Sequence, residues 1–240
     1  EVRLENQVPD LSYDIYISSG GPGSPLESEG KEWEPAYFGW LGKVERWNSN
    51  PAHVKKKHVF FICHSFQLVC RHYNIATISK RKSTAFGIFP THLLVDGKNE
   101  VIFDGLRDPF FSVDSRDYQV IEPNNNKLHD MGASILAIEK DRPHVPLERA
   151  IMAIRFNENM IGTQFHPEAH PDGMVHYLRR PEKKEMILSQ FGLNTYEEMM
   201  HNALHPDRLA HTRDLILPGF LKDAMDRILA YSKEGEPVFV

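Results

Sequence analysis

Residues 58–70 read HVFFICHSFQLVC and join two elements of different kinds. The apolar, β-branched and aromatic first half predicts a buried strand, and the apolar spacing after it predicts a helix. Cys63 would therefore lie at a strand-to-helix turn, above the amino terminus of the helix. Free N–H groups and a partial positive charge at that terminus favour the thiolate, which is the form that attacks carbonyl carbon. Position alone equally allows a small apolar residue buried at the end of a core strand.

The composition is that of an ordinary globular protein, with 41% hydrophobic residues, 25% charged residues and a net charge of −5 over 240 residues. This length fits one domain with an appendage or two small domains. Basic residues are interspersed with acidic ones. They form no basic stripe of the kind that a nucleic-acid-binding protein needs. We find neither an apolar run of membrane-spanning length nor a leader sequence, and we expect a cytoplasmic protein.

The cysteine content supports the same expectation. Cys63 and Cys70 are the two cysteines, and two turns of helix would separate them by about 10 Å. That distance is too long for a disulfide, which favours a reducing compartment.

The chain changes its pattern twice. A predicted strand at 13–18 leads into a glycine-rich loop at 19–25, which could present backbone N–H groups to an anion, or could be a plain tight turn. A helix is predicted at 33–47. The middle of the chain is then rich in short predicted strands, at 87–95, 101–103, 110–113, 118–121, 134–138, 150–156 and 160–165.

From residue 181 the apolar period becomes helical. Helices are predicted at 183–191, 196–204, 206–215 and 220–231, with breaks at Gly192, His205-Pro206 and Pro218-Gly219. We therefore expect an α/β body over residues 1–180 and a helical extension of the same domain over 181–240.

His166 follows the last predicted strand and precedes Pro167 and Glu168. Proline restricts itself and the residue before it, so side chains 166 and 168 can project to the same side. Glu168 can then orient the imidazole, and His166 can act as a base toward Cys63 and as an acid toward a leaving amine. A turn with a surface ion pair is the alternative.

The potential ligands His166, Glu168, His170, Asp172 and His176 also allow a zinc site. The prolines at 167 and 171 argue against helical pairing of these side chains. Surface histidines are the simpler interpretation, and we predict no metal site.

Three separated segments together resemble the class I, triad-type glutamine amidotransferases, including the glutaminase part of GMP synthase. SSGGPGSP at 18–25 resembles the oxyanion loop of that family. FICHSFQ at 61–67 resembles its cysteine elbow, and GTQFHPE at 162–168 resembles its His/Glu segment. The segments occur in the family's order, and the likeness covers about Asp14 to Glu168.

The resemblance implies roles for particular residues. Cys63 would attack the side-chain amide of L-glutamine, His166 would be base and acid, and Glu168 would orient it. The backbone N–H groups of Gly21 and His64 would form the oxyanion hole. Four further residues are implied to bind the substrate: Gly20, Gln67, Ser115 and Arg116. No cofactor is implied, and the ammonia would pass to a synthase subunit or domain.

The resemblance also implies the fold, a three-layer flavodoxin-like α/β sandwich with a mostly parallel central sheet, to which the helical extension is added. Phe61 and Ser65 stand where the family elbow has glycine, and Phe86 stands where it often has Glu. A first strand and helix that the family places before the glycine loop are missing, which suggests an incomplete amino end.

The predicted function is therefore a glutamine amidotransferase. Two alternatives remain on the same fold: a γ-glutamyl peptide hydrolase, and a catalytically silent binding or regulatory subunit.

Overall fold

A computed structural model describes residues 2–234 of the chain. The strands are β1 (Ile15–Ser18), β2 (His58–Ile62), β3 (Ala76–Leu93), β4 (Phe110–Pro123), β5 (Ser134–Glu139), β6 (Ile151–Asn157) and β7 (Met160–Thr163). The helices are α1 (Val2–Glu5), α2 (Trp33–Ser49), α3 (His64–His72), α4 (Val95–Lys98), α5 (Asn125–Met131), α6 (Pro171–Arg179), α7 (Pro181–Leu204) and α8 (His211–Glu234), with a 3-10 turn at Val101–Phe103 and a π turn at Pro206–Ala210.

The seven strands form one sheet in the order β1-β2-β7-β6-β5-β3-β4. The β1–β2 and β2–β7 pairings are parallel, and the other four are antiparallel. The predicted α/β architecture is confirmed, but the expected mostly parallel arrangement applies only to β1, β2 and β7. Part of the difference comes from the two-residue connection between β6 and β7, which is too short for a parallel crossover and makes this pair antiparallel.

Both faces of the sheet are covered, which gives three layers. Successive side chains of β2 alternate between the two faces. Phe61 packs in a core with α2 and α3, whereas Phe60 packs in a second core with α8, where the ring centroids of Phe60 and Phe220 lie 5.1 Å apart. Because every residue of β2 is buried, the strand that leads to Cys63 is held from both sides.

A third core joins α6, α7 and the π turn to the β3–β4 ribbon. Its buried members include Ile88 on β3, Val113 on β4, Leu178 on α6 and Met199 on α7. This packing places α6, which begins three residues after Glu168, beside the end of the sheet where the strands β1, β2 and β7 finish.

Residues 181–234, predicted as a helical extension, form α7, the π turn and α8, and residues 235–240 lie outside the described residues. The predicted break at His205-Pro206 is present, since α7 ends at Leu204 and His205 has an extended backbone. The predicted break at Gly192 is present, since Gly192 interrupts α7 with φ +83°. The predicted break at Pro218-Gly219 is wrong, because both residues lie inside α8. Gly219 serves close packing instead: a Cβ there would lie 2.9 Å from the carbonyl oxygen of Ile102.

Three shorter segments also differ from the sequence prediction. Residues 101–103, predicted as a strand, form a 3-10 turn that buries Ile102 and Phe103. Residues 125–131, for which the sequence predicted no helix, form α5, which Asn124 caps by accepting a hydrogen bond from the Lys127 N–H. Residues 171–179, for which the sequence also predicted no helix, form α6. In residues 2–234 no helix has the length and apolar character needed to cross a membrane.

The room that Phe61 needs at the end of β2 comes from a glycine on the neighbouring strand. Phe61 lies opposite Gly162 in the β2–β7 pair and packs edge-on against Phe156, with 5.7 Å between ring centroids. A Cβ at Gly162 would lie 2.9 Å from the Phe66 ring and 3.0 Å from both the Cβ and the carbonyl oxygen of Phe61. The large Phe61 side chain therefore fits because residue 162 on the neighbouring strand has no side chain.

This packing predicts that Gly162→Ala lowers the free energy of unfolding by about 1–3 kcal/mol, because the added methyl group overpacks a tight core. Urea denaturation followed by circular dichroism measures the change. Gly39→Ala is the matched control: Gly39 is exposed in α2 with no atom within 4 Å of the added Cβ, and its replacement should stabilise by up to about 1 kcal/mol. Equal stability of wild type and Gly162→Ala would contradict the packing argument.

Candidate active site

Cys63 lies in the turn between β2 and α3 in a backbone conformation that side chains rarely adopt. Its φ is +51° and its ψ is −102°. Its N–H donates to the carbonyl of Thr163 at 2.8 Å, which ties the turn to the end of β7. A strained conformation of this kind persists only where the surroundings impose it, and it aims the side chain out of the turn toward the edge of the sheet.

Ser65 holds the same turn from the other side. Its hydroxyl donates to the Ser18 carbonyl at 2.5 Å and accepts from the Ile62 N–H at 3.0 Å. The end of β1, the end of β2 and the start of α3 are thus joined by one small side chain. Ser65 therefore makes side-chain hydrogen bonds to the backbone that a glycine at this position could not make.

His166 and Glu168 lie next to Cys63 because β7 is the parallel neighbour of β2. The His166 N–H donates to the Val113 carbonyl at 3.0 Å, which fixes its backbone against β4. Its Nδ1 lies 2.7 Å from Glu168 Oε1, as the spacing across Pro167 predicts. The sulfur, the imidazole and the carboxylate that the sequence singled out are therefore brought together.

The pKa of His166 reflects this pairing. Burial lowers it, but the hydrogen bonds to the Cys63 sulfur and to Glu168, together with the charges of these two groups, outweigh burial and raise the pKa to about 10. The ring is thus held as an imidazolium between the Cys63 sulfur and the Glu168 carboxylate. An imidazolium beside a cysteine stabilises negative charge on the sulfur.

The glycine loop covers Cys63 and His166. A Cβ at Gly20 would lie 3.2 Å from both Cys63 Cβ and His166 Cε1, so a side chain there would crowd both residues. Gly21 lines the same cavity as Cys63. His64 opens α3, and N–H groups of a first helical turn have no intrahelical acceptor. Of the two amides predicted for an oxyanion hole, that of His64 belongs to the residue directly after Cys63, and that of Gly21 belongs to a residue that lines the Cys63 cavity.

The imidazole of His64 is separate from this arrangement. Burial and the charges of Arg3 and Arg71 lower the pKa of His64 to about 4, although a hydrogen bond with the Ser24 backbone opposes them. The ring is therefore neutral at neutral pH.

Gln67 is buried beneath the site and contacts a residue that sequence reasoning missed. Its Nε2 donates to Gln164 Oε1 at 3.2 Å and lies 3.4 Å from the Tyr118 carbonyl. The Nε2 of Gln164 in turn lies 3.9 Å from Cys63 Sγ. Gln164 is completely buried. Its place in the sequence, directly after β7 and two residues before His166, could have predicted that it lies near the sulfur.

Ser115 and Arg116 have different surroundings. Ser115 lines the cavity, and its carbonyl lies 3.9 Å from Cys63 Sγ. The Arg116 side chain is 1% exposed and points into a buried ion cluster, 3.2 Å from both Asp114 and Glu139. Burial lowers the pKa of Arg116, but the charges of these two carboxylates raise it above its ordinary value overall. Arg116 thus supports the strand from behind, and Ser115 faces the site.

The cavity above Cys63 has a volume of about 460 Å³. Its wall is mostly apolar, which the sequence did not predict. The residues that line it are Gly21, Pro22, Cys63, Phe86, Val113, Ser115, His166, Glu168, Ala169, Met174 and Tyr177. A larger cavity of about 570 Å³ lies on the other side of the glycine loop, between α1 and α2, and Cys63 and His166 do not line it.

The histidines considered as zinc ligands have other contacts. His170 caps α6 by accepting a hydrogen bond from the Asp172 N–H at 3.2 Å, and His176 is exposed on that helix. Within the part of the chain that the structure describes, no three His, Cys, Asp or Glu side chains are grouped so that they could hold a metal ion.

Comparison with known proteins points to one family. A family model described as glutamine amidotransferase class-I matches residues 2–181. A solved glutamine amidotransferase from Thermotoga maritima superposes with a TM-score of 0.62 at 14% identity, over 93% of this chain and 81% of that one. The protein SMU.1228c gives 0.59 at 20% identity, over 91% and 84%.

A protein from Thermoplasma acidophilum that is named as part of a GMP synthase gives a TM-score of 0.51 at 16% identity, over 93% of this chain and 76% of that one. At such identities the structural likeness shows the fold. No curated protein gives a significant match.

The contrast between the two cysteines predicts selective alkylation. Iodoacetamide should modify Cys63, which faces a cavity beside an imidazolium, and should leave Cys70 unmodified, because Cys70 is 0% exposed and burial raises the pKa of its thiol. Peptide mass spectrometry identifies the modified site. His166→Asn should slow alkylation of Cys63 by roughly tenfold or more, since the thiolate loses its cation. Equal reactivity of both cysteines in the native protein would contradict this environment.

The raised pKa of His166 also predicts how stability depends on pH. The ordinary histidine pKa is 6.5, against about 10 here. The extra stability is therefore fully present below pH 6.5, and it is lost as the pH rises through 10. We expect the stability advantage of wild type over His166→Asn, measured by urea denaturation, to shrink between these pH values. An advantage that grows over this range would show that the folded-state pKa is not raised.

Proposed function

The chain belongs to the class I glutamine amidotransferases, and we propose that it releases ammonia from the side-chain amide of L-glutamine through a thioester on Cys63. The observation that carries the proposal is the alignment of Cys63, His166 and Glu168 at one end of two parallel strands. The 2.7 Å contact between His166 and Glu168 supports it. So does the closeness of His166 to Cys63, because the His166 Cε1 and Cys63 Cβ atoms both lie 3.2 Å from the position of a Cβ at Gly20.

In the proposed first step the Cys63 thiolate attacks the δ-carbon of glutamine. A C–S bond forms, and the carbonyl electron pair moves to oxygen. The N–H groups of Gly21 and His64 are the proposed donors to that oxyanion, and each donor of this kind is worth roughly a hundredfold in rate. As the oxyanion collapses, the C–N bond breaks and the protonated His166 gives its proton to the leaving nitrogen, which departs as ammonia.

In the second step the γ-glutamyl thioester is hydrolysed. His166, now neutral, takes a proton from water, and the resulting hydroxide attacks the thioester carbon. The C–S bond breaks, the sulfur leaves as the thiolate, and glutamate is released. Glu168 holds the ring in one orientation through both steps and stabilises each imidazolium.

We further propose that the ammonia is used by a synthase subunit or domain. The loop at Gly20–Ser24 lacks the Lys-Ser/Thr pair of a phosphate-binding loop, and the family model that matches residues 2–181 is that of an amidotransferase. The Thermoplasma protein of similar fold carries the name of one component of a synthase, which agrees with this division of labour.

The proposal predicts that Cys63→Ala lowers glutamine turnover by at least about 1,000-fold, because the nucleophile is removed. Glutamate and ammonia are both measured, with and without a candidate synthase. Cys70→Ala is the matched control: it removes the other sulfur, seven residues along the same turn and helix, and should retain turnover. Glutamine turnover that persists in Cys63→Ala would refute the mechanism.

A further inference from the structure

Two buried glutamine side chains contact the Cys63 sulfur from the interior of the protein. Gln164 is 0% exposed and Gln67 is 3% exposed. The Nε2 atom of Gln164 lies 3.9 Å from Cys63 Sγ, and its Oε1 atom lies 3.2 Å from Gln67 Nε2. Neither glutamine is among the described residues that line the cavity above Cys63. A role for these two amides must therefore be sought on the buried side of the sulfur.

One backbone carbonyl fixes the orientation of both amides. The Tyr118 carbonyl can only accept a hydrogen bond, so the Gln67 atom that lies 3.4 Å from it is the NH2 nitrogen. The second hydrogen of this nitrogen is available to Gln164, which must then present its oxygen. The NH2 group of Gln164 is therefore the end of the amide that faces Cys63.

The surroundings hold this arrangement in place. The Tyr118 carbonyl also lies 3.3 Å from Nη1 of Arg116, whose guanidinium belongs to the buried ion cluster. The backbone N–H of Gln164 donates to the Met152 carbonyl at 2.8 Å, which ties this residue to β6. A chain of hydrogen bonds thus runs from the ion cluster through Tyr118, Gln67 and Gln164 to the sulfur.

The sulfur has two polar neighbours of opposite kinds. The Ser115 carbonyl, 3.9 Å from Sγ, can accept a hydrogen bond from a protonated thiol but cannot donate one to a thiolate. The NH2 group of Gln164 can only donate, and hydrogen bonds to an ionised partner are the stronger ones. Catalytic hydrogen bonds are often long before substrate binds and shorten during the reaction. The Gln164 amide therefore favours the form of Cys63 that attacks the substrate.

We infer that Gln164 is a further catalytic residue, whose side-chain amide donates a hydrogen bond to the Cys63 thiolate. Gln67 is a positioning residue that turns the Gln164 amide toward the sulfur and does not bind the substrate. The inference rests on the proposed function, in which the thiolate is the nucleophile of the first step and the leaving group of the second. No bond forms or breaks besides those of the proposed mechanism.

The inferred hydrogen bond can be separated from the charges around the sulfur. Ionisable groups face Cys63 from several elements: His166 and Glu168 after β7, Arg116 on β4, His64 on α3 and Tyr177 on α6. Glutamine carries no charge, and methionine has a similar length. Gln164→Met therefore removes the hydrogen bond to the sulfur and leaves each of these charged groups in the chain.

The test follows the ultraviolet absorbance of the thiolate as the pH is raised, with Cys63→Ala as the blank. The absorbance should reach its half-maximum about one pH unit higher in Gln164→Met than in wild type, because a hydrogen bond to a charged group is worth roughly tenfold or more in equilibrium. The kcat for glutamine should fall by roughly tenfold as well. Circular dichroism checks that each variant is folded. Gln164→Asn withdraws the amide by one methylene and gives the same test if Gln164→Met does not fold.

Gln119→Met is the matched control. It removes another buried glutamine, which lies on β4 and contacts Ser79 and Arg81, and it should keep the wild-type half-maximum. Gln67→Met leaves the Gln164 amide without the donor that orients it. This variant should raise the half-maximum by a smaller amount and lower kcat, and it should leave KM for glutamine nearly unchanged.

The outcomes separate this inference from the proposed function. A half-maximum at the wild-type pH in folded Gln164→Met or Gln164→Asn would overturn the inference and leave the proposed release of ammonia standing. An equal rise in Gln119→Met would also overturn it. A raised KM in Gln67→Met with an unchanged half-maximum would assign Gln67 to substrate binding and overturn its positioning role. A half-maximum raised only by the Gln164 and Gln67 variants, in a protein that does not hydrolyse glutamine, would support the hydrogen bond and refute the proposed function.

Discussion

The turn at Cys63 is the constraint on which the other features depend. At Cys63 the chain leaves a fully buried strand and enters a helix within one residue, and several contacts hold this residue at a positive φ. The Thr163 carbonyl accepts the Cys63 N–H, the Ser65 hydroxyl joins the ends of two strands, and Gly162 leaves space for Phe61 and Phe66. A substitution that removes any of these contacts would also change the direction of the Cys63 side chain.

The β3–β4 ribbon contributes as much to the site as the parallel strands do. Val113 holds the backbone of His166, Ser115 faces the sulfur, and Phe86 on β3 forms part of the cavity wall. Behind this ribbon, Arg116 and Glu139 belong to an ion cluster that also includes Arg81 and Arg142. Removing one member of a buried ion pair costs about 3–5 kcal/mol, so a single substitution in this cluster would destabilise the ribbon that positions the site.

The parts of the site that depend on neighbouring residues were predictable from the sequence. The strand, the turn and the helix around Cys63 are local, and so is the reach of Glu168 across Pro167 to His166. Contacts between remote segments were not predictable. The Gln67–Gln164 hydrogen bond joins residues 97 positions apart, and the direction of the Arg116 side chain depends on the register of β4. The helix α6 carried a missed signal, since Pro171 follows a capping His170 and precedes apolar residues at helical spacing.

The pairing of β2 with β7 affects the chain while it is still being synthesised. Cys63 and Gln164 are separated by 101 positions, so the imidazole and its carboxylate are synthesised long after the cysteine. Until β7 docks, residue 63 has neither the imidazole beside it nor the carbonyl that holds its turn. The growing polypeptide on the ribosome thus carries Cys63 without these partners, and they reach it only when the last strand of the sheet is inserted.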